Sequence, residues 1–107
     1  MPKECPKLRP VEVSPLEVQG QMVVCLRDPS GFVEEPVCVR PEDYFIISFF
    51  DGEHTALDIQ AAYMRQFGQL LMSERVERIA QELAELHLME GERFDAFKAE
   101  AERLIAA

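Results

Sequence analysis

Long apolar runs are missing from this sequence. The longest, residues 44–50, is interrupted by Ser48 and falls far short of the roughly 18 apolar residues that a membrane-spanning helix needs. The first ten residues, MPKECPKLRP, are polar and broken by proline, so they lack the apolar region of a secretory leader. Both features predict a soluble, cytoplasmic protein.

Positive charge is also scarce. The chain has 11 lysine and arginine residues against 20 aspartate and glutamate residues, which gives a formal net charge of −9. Such a balance repels the phosphate backbone of nucleic acids. Residues 74–88 have the same bias, with four glutamates and two arginines, and are poorly suited to a DNA major groove. We therefore do not expect binding to nucleic acid.

Cysteine and histidine are few and are not spaced as metal ligands. The three cysteines form no CxxC motif. Cys25 and Cys38 fall in strand-like runs and could pair across neighbouring strands, but in a reducing compartment we expect free thiols. Neither His54 nor His87 has a second ligand three or four residues away on a helix. The sequence therefore predicts no metal, no cofactor and no catalytic constellation, and we do not expect an enzyme.

Three helical patterns occupy the middle of the 107-residue chain, which is long enough for one domain. We predict them over residues 42–50, 56–67 and 74–88. The first is almost wholly apolar and should be buried, and the other two carry apolar residues on one face. Helices at this spacing, joined by tight glycine turns, predict a helix-turn-helix core.

Capping residues set the predicted ends of these helices. Pro41 suits the first turn of the first helix, and Thr55 begins a Thr-x-x-Asp capping box at the second. Gly68 ends that helix, and Ser73 caps the third.

Three short strands precede the helices. We predict them over residues 11–18, 22–27 and 37–39, with turns between them. Pro15 cannot donate a backbone hydrogen bond, so the first should be an edge strand or a bulged one. The second, MVVCLR, is a continuous apolar run and should be a buried strand.

The chain ends in a turn or minimal wing at residues 89–93, followed by an amphipathic helix over residues 94–107. That helix could dock on its own domain, on a second copy as a homodimer, or on a downstream domain. The predicted fold class is α+β, with a small three-stranded antiparallel sheet followed by a winged-helix-like three-helix core and a C-terminal amphipathic helix. We divide the chain into an irregular N-terminal lead-in (1–10), a winged-helix domain (11–92) and the C-terminal helix (93–107).

Several short motifs resemble one family. Asp51-Gly52, Thr55-x-x-Asp58-Ile59, Phe67-Gly68 and a long helix ending in Leu86-x-Leu88 are similar to features of PqqD-like domains. In that family a three-stranded sheet precedes a winged-helix-like core. The resemblance covers residues 11–92.

A second resemblance is carried by LRPVE (8–12), CLRDP (25–29), DIQA (58–61) and FGQLL (67–71). These segments look like the N-terminal extension of some bacterial Memo-like proteins of the AmmeMemoRadiSam system. That extension precedes a domain related to extradiol dioxygenases, so this chain resembles an excised domain or a stand-alone relative.

The PqqD-like resemblance implies a site. PqqD-like modules called RiPP recognition elements bind the leader of a precursor peptide as an extra strand and deliver it to a modifying enzyme, often a radical SAM enzyme. The resemblance therefore implies a peptide groove between the third strand and the third helix. The residues that it places there are Val37, Cys38, Val39, Arg75, Arg78, Ile79 and Glu82.

From the residues alone, Arg75 and Arg78 could instead pair with Glu74 and Glu82 on the same helix. Three functions follow from the sequence. The first is a non-catalytic peptide- or protein-binding adaptor of PqqD-like type that serves a radical SAM or Memo-like enzyme. The second is a structural, dimerisation or regulatory domain of a Memo-like protein with no peptide ligand. The third, a DNA-binding winged helix, is opposed by the acidic third helix.

Overall fold

A computed structural model describes residues 4–106 of the chain. The strands in this part are β1 (Glu12–Val18), β2 (Gln21–Arg27) and β3 (Val37–Val39), and the helices are α1 (Pro41–Ile47), α2 (Ala56–Phe67), α3 (Ser73–Glu85) and α4 (Glu92–Ala106). The strands form one antiparallel sheet in the order β1-β2-β3. The predicted α+β class is therefore confirmed. Within residues 4–106, the helices are too short or too polar to cross a membrane.

β1 and β2 form a hairpin around Gln19 and Gly20. Both turn residues have positive φ angles, 51° and 78°, as in the type I′ turns that match the twist of hairpin strands. Pro15 lies directly opposite Val24. Because proline has no N–H, we infer that this pair is one of the non-hydrogen-bonded positions of the ladder.

β2 is half-buried, and the prediction of a buried strand was wrong. Its buried side chains are those of Val24 and Leu26, which alternate along one face of the sheet. α1 packs against β2, whereas every residue of β1 is exposed. A continuous apolar run in the sequence therefore does not mean that both faces of the strand are covered.

The expectation of free thiols at Cys25 and Cys38 was also wrong. The two residues lie directly opposite each other on β2 and β3 and form a disulfide, with their Cα atoms 4.1 Å apart. This Cα separation is typical of a non-hydrogen-bonded pair, in which side chains approach most closely. Strand register, which sequence spacing alone did not fix, brings the two sulfur atoms together.

The prediction for α2 is confirmed at both ends. Thr55 and Asp58 form the reciprocal capping box, and Gly68 takes the left-handed conformation after the last turn. α1 is shorter than predicted, because the backbone tightens after Ile47. Phe50 N–H donates to the carbonyl of Ile47 at 2.9 Å, a three-residue turn rather than a helical one.

α3 differs from its prediction at both ends. Met72 is the N-cap residue, so the prediction that Ser73 caps the helix was wrong. At the other end His87 has a φ of 63°, Leu88 N–H donates to the carbonyl of Leu83, and His87 N–H donates to that of Ala84. These two bonds define a Schellman motif, which ends the helix at Glu85 instead of residue 88.

The core lies where the helices meet the sheet and each other. α1 packs against β2, α2 and α3. The side chains with almost no exposed surface are those of Leu26, Ile46, Ile47, Ile59, Leu71, Val76 and Leu88.

The N-terminal segment has no regular helix or strand over residues 4–10, but it is hydrogen-bonded to the body of the domain. Cys5 N–H donates to the carbonyl of His54, and Leu8 N–H to that of Phe50, both at 2.8 Å. Arg9 N–H donates to the carbonyl of Leu88 at 2.8 Å.

α4 begins two residues before the predicted start, and its predicted last residue, Ala107, lies outside the described residues. Its first turns pack on the domain, since Phe97 stacks on His87 with 4.0 Å between ring centres. Leu104 and Ile105 are exposed. The apolar face predicted for this helix is therefore covered only in its first half.

Candidate functional site

One edge of β3 pairs with β2, and no described strand pairs with the other. Because Cys25 and Cys38 form a non-hydrogen-bonded pair, the N–H and C=O of Cys38 point away from β2. Cys38 is also an exposed residue. Pro36 and Pro41 flank the strand and offer no N–H donors. The edge is free but short.

The side chains of β3 are divided between two faces. Val37 and Val39 are half-buried and pack against the core. Cys38 lies on the outer face, where it forms the disulfide. The two valines are therefore structural neighbours of the core, while Cys38 contributes mainly its outward backbone groups to the edge.

The predicted α3 residues point in different directions. Arg75 is half-buried and forms an ion pair with Asp43 of α1. Ile79 packs against the core, whereas Arg78 and Glu82 are exposed. The pairs that the sequence offered as an alternative, with Glu74 and Glu82, do not form among the described residues.

Arg75 is held by several groups. Its hydrogen bond to Asp43 raises its pKa above the ordinary value, against the opposing effect of burial. Its guanidinium carbon lies 5.8 Å from the ring centre of Tyr63, within the range of a cation–π contact. Asp43 also lies 3.6 Å from Nε of Arg40. One carboxylate therefore holds an arginine from the end of β3 and another from the start of α3.

Between these two arginines lies a cavity of about 390 Å³. Its lining combines two guanidinium groups with aromatic side chains, one amide and one carboxylate, those of Arg40, Glu42, Tyr63, Phe67, Gln69 and Arg75. Donors of this kind suit the carboxylate of an acidic side chain. Sequence reasoning identified Arg75 but missed Arg40, Asp43 and Tyr63, because only the packing of α1 between β2 and α3 assembles them.

A buried polar cluster lies on another part of the molecule. Arg9 is only 6% exposed. Its Nη2 donates to the Asp28 carboxylate at 3.2 and 3.3 Å and to Ser30 Oγ at 2.9 Å. Its Nη1 donates to the backbone carbonyl of His87 at 2.7 Å, and the ring centre of Phe94 lies 3.6 Å from its guanidinium carbon. We call these five residues the Arg9 cluster.

The Arg9 cluster was not predicted. It joins the N-terminal segment, the β2–β3 turn, the end of α3 and the start of α4. The available sequence signal was Asp28 at the first position of a turn, which indicates a side chain that hydrogen-bonds the backbone two residues later. That bond, from Ser30 N–H to Asp28 Oδ1, is present at 2.9 Å.

The ionised state of Asp28 should make stability depend on pH. Burial opposes ionisation of this carboxyl, but hydrogen bonds from Ser30 and Val33 and the charge of Arg9 outweigh burial and lower its pKa to about 2. An unfolded aspartate has a pKa of about 3.9. The contribution of Asp28, about 2–3 kcal/mol, is therefore complete above about pH 5 and is lost as the pH falls toward 2. Urea unfolding at about pH 6 and about pH 2.5 measures this loss, which Asp28→Asn should reduce. An equal loss of stability in the wild-type protein and in Asp28→Asn would contradict the lowered pKa of Asp28.

No group of three or more histidine, cysteine, aspartate or glutamate residues within residues 4–106 is arranged to hold a metal ion. His54 instead shares a hydrogen bond with Asp51, and the Nδ1–Oδ2 distance is 2.9 Å. This bond raises the pKa of His54. Both side chains stand just before α2, where they order the turn that precedes the capping box.

An exposed apolar surface covers α2 and the connection to α3. Leu57 and Met64 lie seven residues apart on the same face of α2, and Leu70 and Met72 are exposed on either side of the buried Leu71. Gln60 Nε2 donates to the Leu71 carbonyl at 2.8 Å, which holds the connection against α2. We call Leu57, Met64, Leu70 and Met72 the α2 patch.

The chain is 32% identical over 101 residues to a MEMO1 family protein from Aquifex aeolicus (strain VF5). The match covers 94% of this chain but 26% of that protein, so the chain spans about a quarter of the length of this relative. No family model matches the chain, and no solved structure matches it. The predicted relationship to Memo-like proteins is supported, whereas none of these comparisons supports the PqqD-like resemblance.

Proposed function

We propose that this chain is a non-catalytic accessory domain that packs against the remaining part of a MEMO1-type protein and positions or regulates it. The observation that carries the proposal is the extent of the match, which includes nearly all of this chain and about a quarter of the relative. A segment that folds around its own core, inside a longer protein, has the properties of an accessory domain.

The α2 patch is the surface that we propose for this contact. Leu70 is 75% exposed and Leu57 is 63% exposed, and several large apolar side chains exposed on neighbouring elements are a feature of protein–protein contacts. The surroundings are weakly charged, since residues 56–72 contain one aspartate and one arginine. The thirteen residues of α3 contain four glutamates and two arginines. Low charge favours the desolvated centre of an interface.

A titration tests this proposal. The isotope-labelled chain would be mixed with the part of the A. aeolicus protein that lies outside the matched segment. We expect shifts of backbone resonances at the α2 patch. Leu70→Glu should weaken the binding at least tenfold, about 1.4 kcal/mol, because it places a charge in an apolar contact. Leu104→Glu, at an exposed position of α4, is the matched control and should bind normally.

Peptide recognition at β3, the function that the PqqD-like resemblance implies, is the second candidate. The free backbone groups of Cys38 and the adjoining cavity with Arg40 and Arg75 favour it. A guest strand would bond Cys38 while an acidic side chain entered the cavity. In this case the enzyme served would be a radical SAM or Memo-like enzyme.

The same labelled sample separates the two candidates. Shifts confined to Cys38, Arg40 and Arg75 when short acidic peptides are added would favour peptide recognition. No shift at the α2 patch with the A. aeolicus fragment would contradict the accessory-domain proposal.

A further inference from the structure

An apolar groove runs between the N-terminal segment, the start of α2 and α3, and its lining shares no residue with the α2 patch or the β3 edge. Its volume is about 310 Å³. Cys5 and Pro6 form one wall, and Val76, Ala80 and Ala84 form the other. The three α3 residues are four apart, so they lie along one face of the helix. Because two of them are alanines, that face leaves room for a side chain from outside.

Backbone hydrogen bonds fix the opposite wall. Cys5 N–H donates to the His54 carbonyl at 2.8 Å, and Glu90 N–H donates to the Lys7 carbonyl at 2.7 Å. The segment between Cys5 and Lys7 is therefore anchored at both ends. Both walls of the groove are therefore held by the body of the domain.

The groove is acidic at its rim. Glu4 and Glu77 line it, and among residues 4–106 no lysine or arginine contributes to its lining. Burial raises the pKa of the Cys5 thiol, and the charges of Glu77 and Asp58 raise it further. Both effects disfavour a thiolate in the groove, and the second indicates a negative potential there.

We propose that this groove binds a basic peptide segment that inserts an apolar side chain between Cys5 and Ala80. The apolar walls account for the inserted side chain, and the carboxylates of Glu4 and Glu77 account for the flanking lysine or arginine residues. A second copy of this chain, with a net charge of −9, is the wrong occupant, because its surface would repel the rim.

Three matched six-residue peptides test the proposal with the full chain. One has two central leucines between pairs of lysines. The second replaces the lysines with glutamates, and the third replaces the leucines with serines. We expect the lysine–leucine peptide alone to shift the resonances of Cys5, Ala80 and Ala84. An increase in NaCl from about 50 to about 500 mM should weaken this binding at least threefold, because salt screens exposed charges.

Cys5 provides an independent measurement because it is a free cysteine, whereas Cys25 and Cys38 are paired. Bound lysine–leucine peptide should slow the alkylation of Cys5 by iodoacetamide at least threefold. The serine-centred peptide should leave the alkylation rate unchanged.

Two variants locate the binding. Ala80→Phe fills the groove and should weaken binding of the lysine–leucine peptide at least tenfold. Ala61→Phe, at an exposed position of α2, should leave this binding unchanged. Glu77→Lys reverses a charge at the rim without changing the core, and it should weaken binding of the same peptide at least fivefold. Glu82→Lys makes the same charge change elsewhere on α3 and is the control.

Three results would overturn the proposal. These are equal binding of both lysine peptides, which would mean general attraction to an acidic chain, equal weakening by Glu77→Lys and Glu82→Lys, or no binding at all. None of these results bears on the accessory-domain proposal, which is tested at the α2 patch with a different partner.

Discussion

Replacement of Arg9 by alanine should lower the free energy of unfolding by about 3–5 kcal/mol. The substitution leaves the carboxylate of Asp28 buried without its cation, and it removes the bond to the His87 carbonyl and the contact with Phe94. Domains of this size are stable by about 5–15 kcal/mol in total. Loss of this one side chain should therefore lower the midpoint of thermal unfolding by roughly 15 °C or more. Urea and thermal unfolding followed by circular dichroism measure both quantities.

A matched control is available on the sheet. Arg27 pairs with Glu12 at 2.7 Å, but both side chains are mostly exposed. Arg27→Ala should cost less than about 1 kcal/mol, as is usual for exposed ion pairs. If the two arginine substitutions cost the same, the Arg9 cluster is not the buried contact described above. Arg9→Met combined with Asp28→Asn should recover part of the loss, because it removes both charges together and keeps a side-chain oxygen as acceptor for Ser30 N–H.

Ile46→Ala should lower the free energy of unfolding by about 3–4 kcal/mol. Ile46 is 0% exposed and belongs to α1, the helix that packs against β2, α2 and α3 at once. Removal of three carbon atoms there leaves a cavity that three neighbouring elements would have to fill together, so relaxation should be incomplete. Chemical denaturation at neutral pH gives the change, with the slope against denaturant expected to stay constant.

Ile105→Ala is the control for this prediction. Ile105 is 82% exposed near the end of α4, so the same truncation should change stability by less than about 0.5 kcal/mol. A large loss there would indicate that the end of α4 is covered in solution, for example by a second copy.

The sequence predicted the elements whose signals are local. α2 was correct at both ends, because the Thr55 capping box and Gly68 act within a few residues. The end of α3 was misplaced because its Schellman motif uses His87 at the position usually held by glycine. Helix ends that rest on a less common residue type give no such local signal.

Contacts between distant residues escaped prediction. Arg9 reaches a carbonyl 78 positions away, and Arg75 reaches a carboxylate 32 positions away. Neither pairing has a spacing rule, because each depends on how complete elements pack. In the same way, Cys25 and Cys38 were correctly placed on strands, but their register was needed to pair them. The secondary-structure element that holds each candidate residue was therefore predictable, whereas the partner that its side chain contacts was not.

The Arg9 cluster also determines when folding can finish relative to translation, because its members lie far apart in the chain. Arg9 and Asp28 leave the ribosome early, but the His87 carbonyl and the Phe94 ring that complete the cluster follow later. At translation rates of about 5–20 residues per second, the 85 residues between Arg9 and Phe94 take roughly 4–17 s to add. The sheet and the first helices therefore emerge before the N-terminal segment can be fixed to α4. Because Phe94 is the last member of the cluster to be added, Arg9 gains its complete set of contacts only when the start of α4 is available.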